Sequence, residues 1–182
     1  AQLAGFKKLI LTLSMDGAPE DHRRLRRALP GVADAYEHVV SLLPQLLALP
    51  RLVVTQTIAP ATARRAAQNF DHLVGLGFRR FNLLPGYYIP WRAEQLKALA
   101  AGFDTIGARF RAAWAAGRYL YLRNLFTYAP APYFNTGLVV DADRSIHPCN
   151  VGLSGSLEST LSLTRVGTLD DPPSPAALAE AA

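Results

Sequence analysis

The stretch GFKKLILTLSMDGAP, residues 5–19, decides how the chain folds. Leu9, Ile10, Leu11 and Leu13 form a nearly continuous apolar run, the pattern of a strand buried on both faces. The run stops at Ser14-Met15-Asp16-Gly17-Ala18-Pro19, so a buried strand would end by presenting a hydroxyl and a carboxylate ahead of a Gly/Pro turn. Its opening recurs later. Residues 2–13 read QLAGFKKLILTL and residues 74–84 read VGLGFRRFNLL. In both, an apolar helix end meets Gly-Phe, two basic residues and a hydrophobic strand. Gly5 and Gly77 are the residues that adopt the left-handed conformation just past a helix without a side-chain penalty. Lys7-Lys8 and Arg79-Arg80 suit a solvated approach to the next strand.

Working outward, Leu52–Ile58 is a further strand candidate. The helix before it begins near Asp34 and carries Tyr36, Val39, Val40, Leu43, Leu46 and Leu47, with Pro44 expected to kink or divide it. Behind Pro60, Ala63, Ala66, Ala67, Phe70, Leu73 and Val74 share one helical stripe. From about Ala93, Leu96, Leu99, Phe103, Ile106, Phe110 and Trp114 repeat at three and four, and Gly117 ends the helix. Helix and strand alternate, which predicts an α/β fold with a parallel sheet, because parallel neighbours need a helix-length crossover. Three such units fall short of the roughly 250 residues of a closed eight-unit barrel. The expectation is therefore a partial barrel, an open sheet or a truncated piece.

The pattern changes near residue 118. Tyr119–Leu122 suits a short strand. Thr136–Asp141 and Ser145–Cys149 read as a hairpin about Asp141-Ala142-Asp143-Arg144. The expected organisation is residues 1–117 as barrel and 118–182 as a hairpin extension with a loosely held tail.

The chain has 182 residues, half of them hydrophobic, and a formal net charge of +5. That composition supports a sizeable core and argues against wholesale disorder. One cysteine excludes an internal disulfide and suits a cytoplasmic protein. No run approaches a membrane span, so a membrane partner is not expected. The basic run His22-Arg23-Arg24-Leu25-Arg26-Arg27 has no interleaved aromatics. It reads as a solvated surface helix, and nucleic acid is not expected as a partner.

In parallel α/β folds ligands bind beyond the carboxyl ends of the strands. Three ends should converge: Thr12, Ser14 and Asp16 on the first, Thr55, Gln56 and Thr57 on the second, Asn82, Leu84 and Pro85 on the third. Hydroxyl, carboxylate and amide groups together suit a ribose-like ligand. Asp16 is equally suited to cap the following helix. The aromatics of Gly86–Trp91 suit either a pocket mouth or packing of their loop. His147 and Cys149 are a close pair of possible metal ligands, but zinc needs about four.

Residues 13–26, LSMDGAPEDHRRLR, resemble the segment S-L-D-G-P-x-x-H-D-x-x-R of radical S-adenosylmethionine enzymes, in the branch with a SPASM or twitch extension. In that family it closes the fourth strand of a six-unit (β/α) partial barrel. Val53–Ile58 then resembles the fifth strand, Phe81–Pro85 the sixth, and residues 135–150, NTGLVVDADRSIHPCN, the hairpin that begins the extension. The resemblance implies contacts to S-adenosylmethionine from Ser14 and Asp16, and from the neighbourhood of Thr57, Leu83 and Leu84. It implies a [4Fe–4S] cluster on a Cys-x₃-Cys-x₂-Cys loop, reductive cleavage of S-adenosylmethionine to a 5′-deoxyadenosyl radical, a flavodoxin or ferredoxin as reductant, and a peptide or protein substrate. The three-cysteine loop is not in this sequence. The chain reads as the C-terminal half of such an enzyme, inactive by itself, with Ala1–Phe6 as the tail of a preceding helix. Cys149 matches a family cysteine of the extension, but without companions an auxiliary cluster is doubtful. A degenerate barrel that binds a peptide or protein without catalysis is the first alternative. A cofactor-independent barrel enzyme is the second, and it lacks a general base other than Asp16 at the strand ends.

Overall fold

The computed structural model describes residues 10–87, 89–126, 139–147 and 165–174. The chain divides into two units, residues 1–127 and 128–182. In the first, strands β1 (Leu11–Ser14), β2 (Leu52–Ile58), β3 (Arg80–Pro85) and β4 (Tyr121–Leu122) form one sheet in that order, every pair parallel. Between them run α1 (Pro19–Leu25), α2 (Ala35–Ser41), α3 (Leu43–Leu47), a 3₁₀ turn at Ala63–Arg65, α4 (Ala66–Gly75) and α5 (Ala93–Ala115); α6 (Arg123–Phe126) follows β4. Asp34 caps α2, accepting from the backbone of Tyr36 and Glu37. Pro44 sits at the start of α3, and the expected helix is two, as a proline without an amide hydrogen requires.

The α4–β3 joint closes as the repeat implies. Gly77 takes φ +103°. Gly77 N–H donates to Val74 O, and Phe78 N–H donates to Leu73 O, the paired bonds of a Schellman end. A side chain there would be strained, and its Cβ would lie 2.9 Å from Leu47.

All helices of this unit that contribute to the main core pack on one face of the sheet. Leu11, Leu13, Leu52, Val54, Phe81, Leu83 and Leu122 lie in the cluster with Tyr36, Phe70, Leu73, Ile106 and Phe110. Phe70 sits 4.8 Å from Phe81 and 5.4 Å from Phe110, ring centre to ring centre. Each fully buried phenylalanine contributes about 1.5–3 kcal/mol relative to exposure.

Three expectations are corrected. β1 is only half-buried along its length, and Ile10 just before it is 52% exposed. It is the edge strand of the described sheet, so its apolar run has helices on one face alone. On α5, Leu96 and Trp114 stand exposed at the two ends of the stripe, beyond the span that faces α4. The basic run of α1 is not uniformly solvated, because His22 points into the interior at 1% exposure. β4 pairs with β3 and extends the first sheet to residue 122.

In the second unit, β5 (Val139–Val140), β6 (Ser145–His147) and β7 (Gly167–Thr168) form an antiparallel sheet in that order. The predicted hairpin is its first pair, turning through Arg144 at φ 70°. No helix among the described residues is long and apolar enough to cross a membrane.

Candidate functional site

Strand alternation sorts the sheet into two chemistries. Opposite the helices, one face carries Thr12 and Ser14 of β1, Val53, Thr55 and Thr57 of β2, Arg80, Asn82 and Leu84 of β3, and Tyr121 of β4. None of these belongs to a core cluster. Ser14 is opposite Thr55, Thr55 opposite Asn82, and Thr57 opposite Leu84. Neighbouring strands are about 4.8 Å apart, so Ser14 and Asn82 stand about 10 Å apart across Thr55. Asn82 Nδ2 donates to Thr55 Oγ1 at 3.4 Å, a long contact that leaves most of the polar capacity of both residues unspent. The face therefore offers the exposed Ser14 hydroxyl at the end of β1 and the half-buried Thr57 near the end of β2, with half-buried Asn82 and buried Thr55 beside them at mid-strand, groups to which a polyhydroxylated ligand could hydrogen-bond.

Gln56 does not join this face. It projects to the helix side, where its amide donates to Ala66 O, and its Oε1 is buried with no partner among the described residues.

Asp16 lies behind the rim rather than on it. Its carboxylate is fully buried and accepts from Arg26 Nε at 2.7 Å and from Thr57 N–H at 3.0 Å. It is not the cap of α1, whose first position follows Ala18 without a side-chain cap. Met15 N–H makes the last ladder bond to Thr55 O. A parallel ladder would next take Thr57 N–H to Met15 O, and Asp16 Oδ1 receives it instead. Asp16 N–H in turn donates to His22 Nδ1 at 3.2 Å, which leaves the ring proton on buried Nε2. Burial pushes the His22 pKa below its ordinary value, with the Asp16 carboxylate opposing that shift.

The turn beyond is clamped from α4. Ala18 N–H donates to Asn69 Oδ1 at 3.0 Å, and Asn69 Nδ2 donates to Asp21 at 2.8 Å. Asp21 also takes two bonds from Arg65, which hold its carboxyl below the usual carboxylate range against the opposing effect of burial. Gly17 has φ +138°, and a Cβ there would fall 2.2 Å from Asn69 Cβ. Only glycine fits.

The third strand ends similarly. β4 stops at Leu122, and Asn124 then accepts from Leu83 N–H at 2.9 Å and donates to Leu83 O at 3.0 Å. Its amide stands in for the missing strand. Leu83 is consequently occupied at both backbone groups and buried at its side chain, while Leu84 turns its half-exposed side chain to the polar face. After β3, Trp91 donates to Gly86 O and packs on the Ile58–Leu99 cluster, whereas Tyr87 and Ile89 are exposed. Tyr88 and Cys149 lie outside the described residues. His147 Nε2 is 2.9 Å from Ser145 Oγ, and Ser145 also donates to Asp143, whose carboxyl it holds below its ordinary value. No group of three or more potential metal ligands occurs among the described residues.

Sequence reasoning thus finds the rim and misses its supports, Arg26, Asn69 and Asn124. Their signal is weak: an arginine in a basic run, and two asparagines whose partners are distant in sequence.

No family model matches the chain, and no curated protein matches it. Solved structures do. Native anSMEcpe with bound AdoMet superposes at a TM-score of 0.67 and 18% identity, over 95% of this chain and 50% of that one. A histidine-tagged form of anSMEcpe with bound AdoMet gives 0.69, 17%, 98% and 52%. Native anSMEcpe with bound AdoMet and a Kp18Cys peptide gives 0.67, 18%, 95% and 51%. The chain spans about half the length of these structures and shares their α/β fold over that half.

Proposed function

We propose that the chain is the C-terminal half of a radical S-adenosylmethionine enzyme core, followed by the start of a SPASM-like extension. The observation that carries the reading is the polar, helix-free face of a parallel sheet, with Ser14 and Thr57 at strand ends and Thr55 and Asn82 beside them at mid-strand. It is supported by likeness of fold to a protein that binds AdoMet.

In this reading Ser14 and Thr57 hold the ribose or methionine part of S-adenosylmethionine, and Leu84 lies against the adenine. Asp16 and Leu83, expected from the resemblance as contacts, act from behind. Asp16 fixes the Thr57 amide and Leu83 anchors the end of β3. The cofactor supplies a hydrogen-abstracting radical when cleaved. The residues of this chain orient it and exclude water. The described residues hold no ligand set for a [4Fe–4S] cluster, so its ligation would fall to residues outside them. A peptide or protein substrate is the favoured class, because an anSMEcpe structure carries a bound peptide. A flavodoxin or ferredoxin would act as reductant.

The test uses the full-length protein containing this chain, reconstituted anaerobically with iron and sulfide. With reductant and S-adenosylmethionine it should release 5′-deoxyadenosine, and Ser14→Ala should raise KM for S-adenosylmethionine about tenfold, the loss of one hydrogen bond. Absence of 5′-deoxyadenosine from a protein with a full iron complement would overturn the reading.

A further inference from the structure

The opposite ends of the same strands carry a second pattern, which the cofactor reading does not use. Each described helix-to-strand joint of the sheet carries arginine: Arg51 before β2, Arg79 and Arg80 at β3, Arg118 before β4. No Asp or Glu occurs in these joints, residues 48–51, 76–79 and 116–120, or in the last turns of α3, α4 and α5. Two of the guanidinium groups are held in place by neutral partners. Arg79 Nη1 donates to Val74 O at 2.9 Å and Phe78 O at 2.7 Å. Arg80 Nη1 donates to Tyr119 Oη at 2.7 Å, and the group lies 4.3 Å above the Tyr121 ring centre. Its Nε is buried with no acceptor among the described residues.

Helix C-termini offset part of this charge. Each is equivalent to about half a negative charge, so three ends set against Arg79, Arg80 and Arg118 leave an excess of about one and a half positive charges. The cations are also flanked by apolar hollows. One, of about 200 Å³, is walled by Leu46, Leu49, Leu52 and Phe78 beside Arg79 and Arg80. The other, of about 310 Å³, runs past Val74 and Ala113 between Arg79 and Arg118. Tyr119 lines both and is 58% exposed.

We propose that this floor of the sheet is a docking surface for an acidic protein segment that carries apolar side chains between its carboxylates. Pre-ordered guanidinium groups held by neutral partners match carboxylates, which they can grip in bidentate fashion. The apolar hollows beside them, one walled by leucines and the other by Val74, Ala113 and Leu120, suit apolar anchors, which a nucleic-acid backbone does not have. The rim lies at the other end of the strands, so the test does not depend on S-adenosylmethionine.

The test is fluorescence anisotropy with the 182-residue chain and a labelled short peptide alternating glutamate and leucine. Controls are the same peptide with glutamine for glutamate and a labelled single-stranded DNA. The acidic peptide should bind, and its affinity should fall about tenfold between about 50 and 300 mM salt. Arg79→Glu with Arg118→Glu should weaken binding at least about tenfold while the circular dichroism spectrum is unchanged. Arg27→Glu with Arg64→Glu, exposed arginines away from the floor, removes the same net charge and should leave binding intact. Equal binding of the glutamine peptide, equal loss in both double variants, or DNA binding that depends on Arg79 and Arg118 would each overturn the proposal.

Discussion

At the scale of single residues, Asp16 holds the rim together. Removing its carboxylate leaves Thr57 N–H without an acceptor and frees Arg26, which is partly exposed and can return to water. Asp16→Ala should therefore cost about 2–3 kcal/mol, most of it the orphaned amide. Asp16→Asn, which keeps an oxygen for Thr57, should cost about half as much. Urea unfolding midpoints check both, and a smaller loss for Ala than for Asn would refute this division of roles. His22 adds a pH dependence. The fold disfavours its charged form, whereas the unfolded chain protonates it near its ordinary value of 6.5. Its contribution is present above that pH and is lost as pH falls through the depressed folded value. The thermal midpoint should drop on acidification from about pH 7. In His22→Asn, whose Oδ1 can accept the Asp16 N–H without titrating, that part of the drop should vanish. The sequence made Ser14, Asp16 and Thr57 visible because polar residues at the end of an apolar run are conspicuous. It hid the burial of Asp16, because Arg26 and His22 read equally well as part of a solvated basic helix.

At the scale of elements, two seams of the sheet end in side chains rather than backbone. Asp16 closes β1 against β2, and Asn124 closes β3 beyond the two residues of β4. Each allows its strands to diverge at the carboxyl end with their amides still satisfied, which makes room there without orphaned groups. Asn124→Ala should cost about 1–3 kcal/mol and speed hydrogen exchange at the Leu83 amide. Unchanged exchange there would mean another group pairs with Leu83. The elements themselves were largely legible. Leu52–Ile58 is strand over its full predicted length, Asp34 opens its helix, Pro44 divides it, and Gly77 ends α4 in the left-handed conformation. These signals act within one turn of the chain, where sterics and capping decide. The half-exposure of β1 was not legible, because a continuous apolar run does not say whether one or two faces will be covered.

At the scale of the whole first unit, the helices cover one sheet face and leave the other polar. A face selected for stability would carry the valines and isoleucines that strands favour. Here Thr55 and Asn82 stand side by side in the middle of the sheet, with only a 3.4 Å hydrogen bond between them. Such a pair is a cost to the fold, and under the proposed function a bound ligand would complete its hydrogen bonds. That face lies on the side of the sheet away from the core helices. Alternation along β2 and β3 was enough to foresee polar ends, but the choice of Thr55 over Gln56 required the register. The distinction can be measured. Thr55→Val with Asn82→Leu replaces the pair by apolar groups of similar size. It should leave the thermal midpoint of the chain unchanged or raise it by the equivalent of about 1 kcal/mol. Under the proposed function, the same double variant in the reconstituted longer protein should weaken S-adenosylmethionine binding by at least about tenfold, measured as KM for 5′-deoxyadenosine release. A structural role for the pair predicts the reverse: a lower midpoint with cofactor affinity intact. Stability and binding should therefore move apart in this variant, whereas Asp16→Ala, which undermines the rim itself, should lower both.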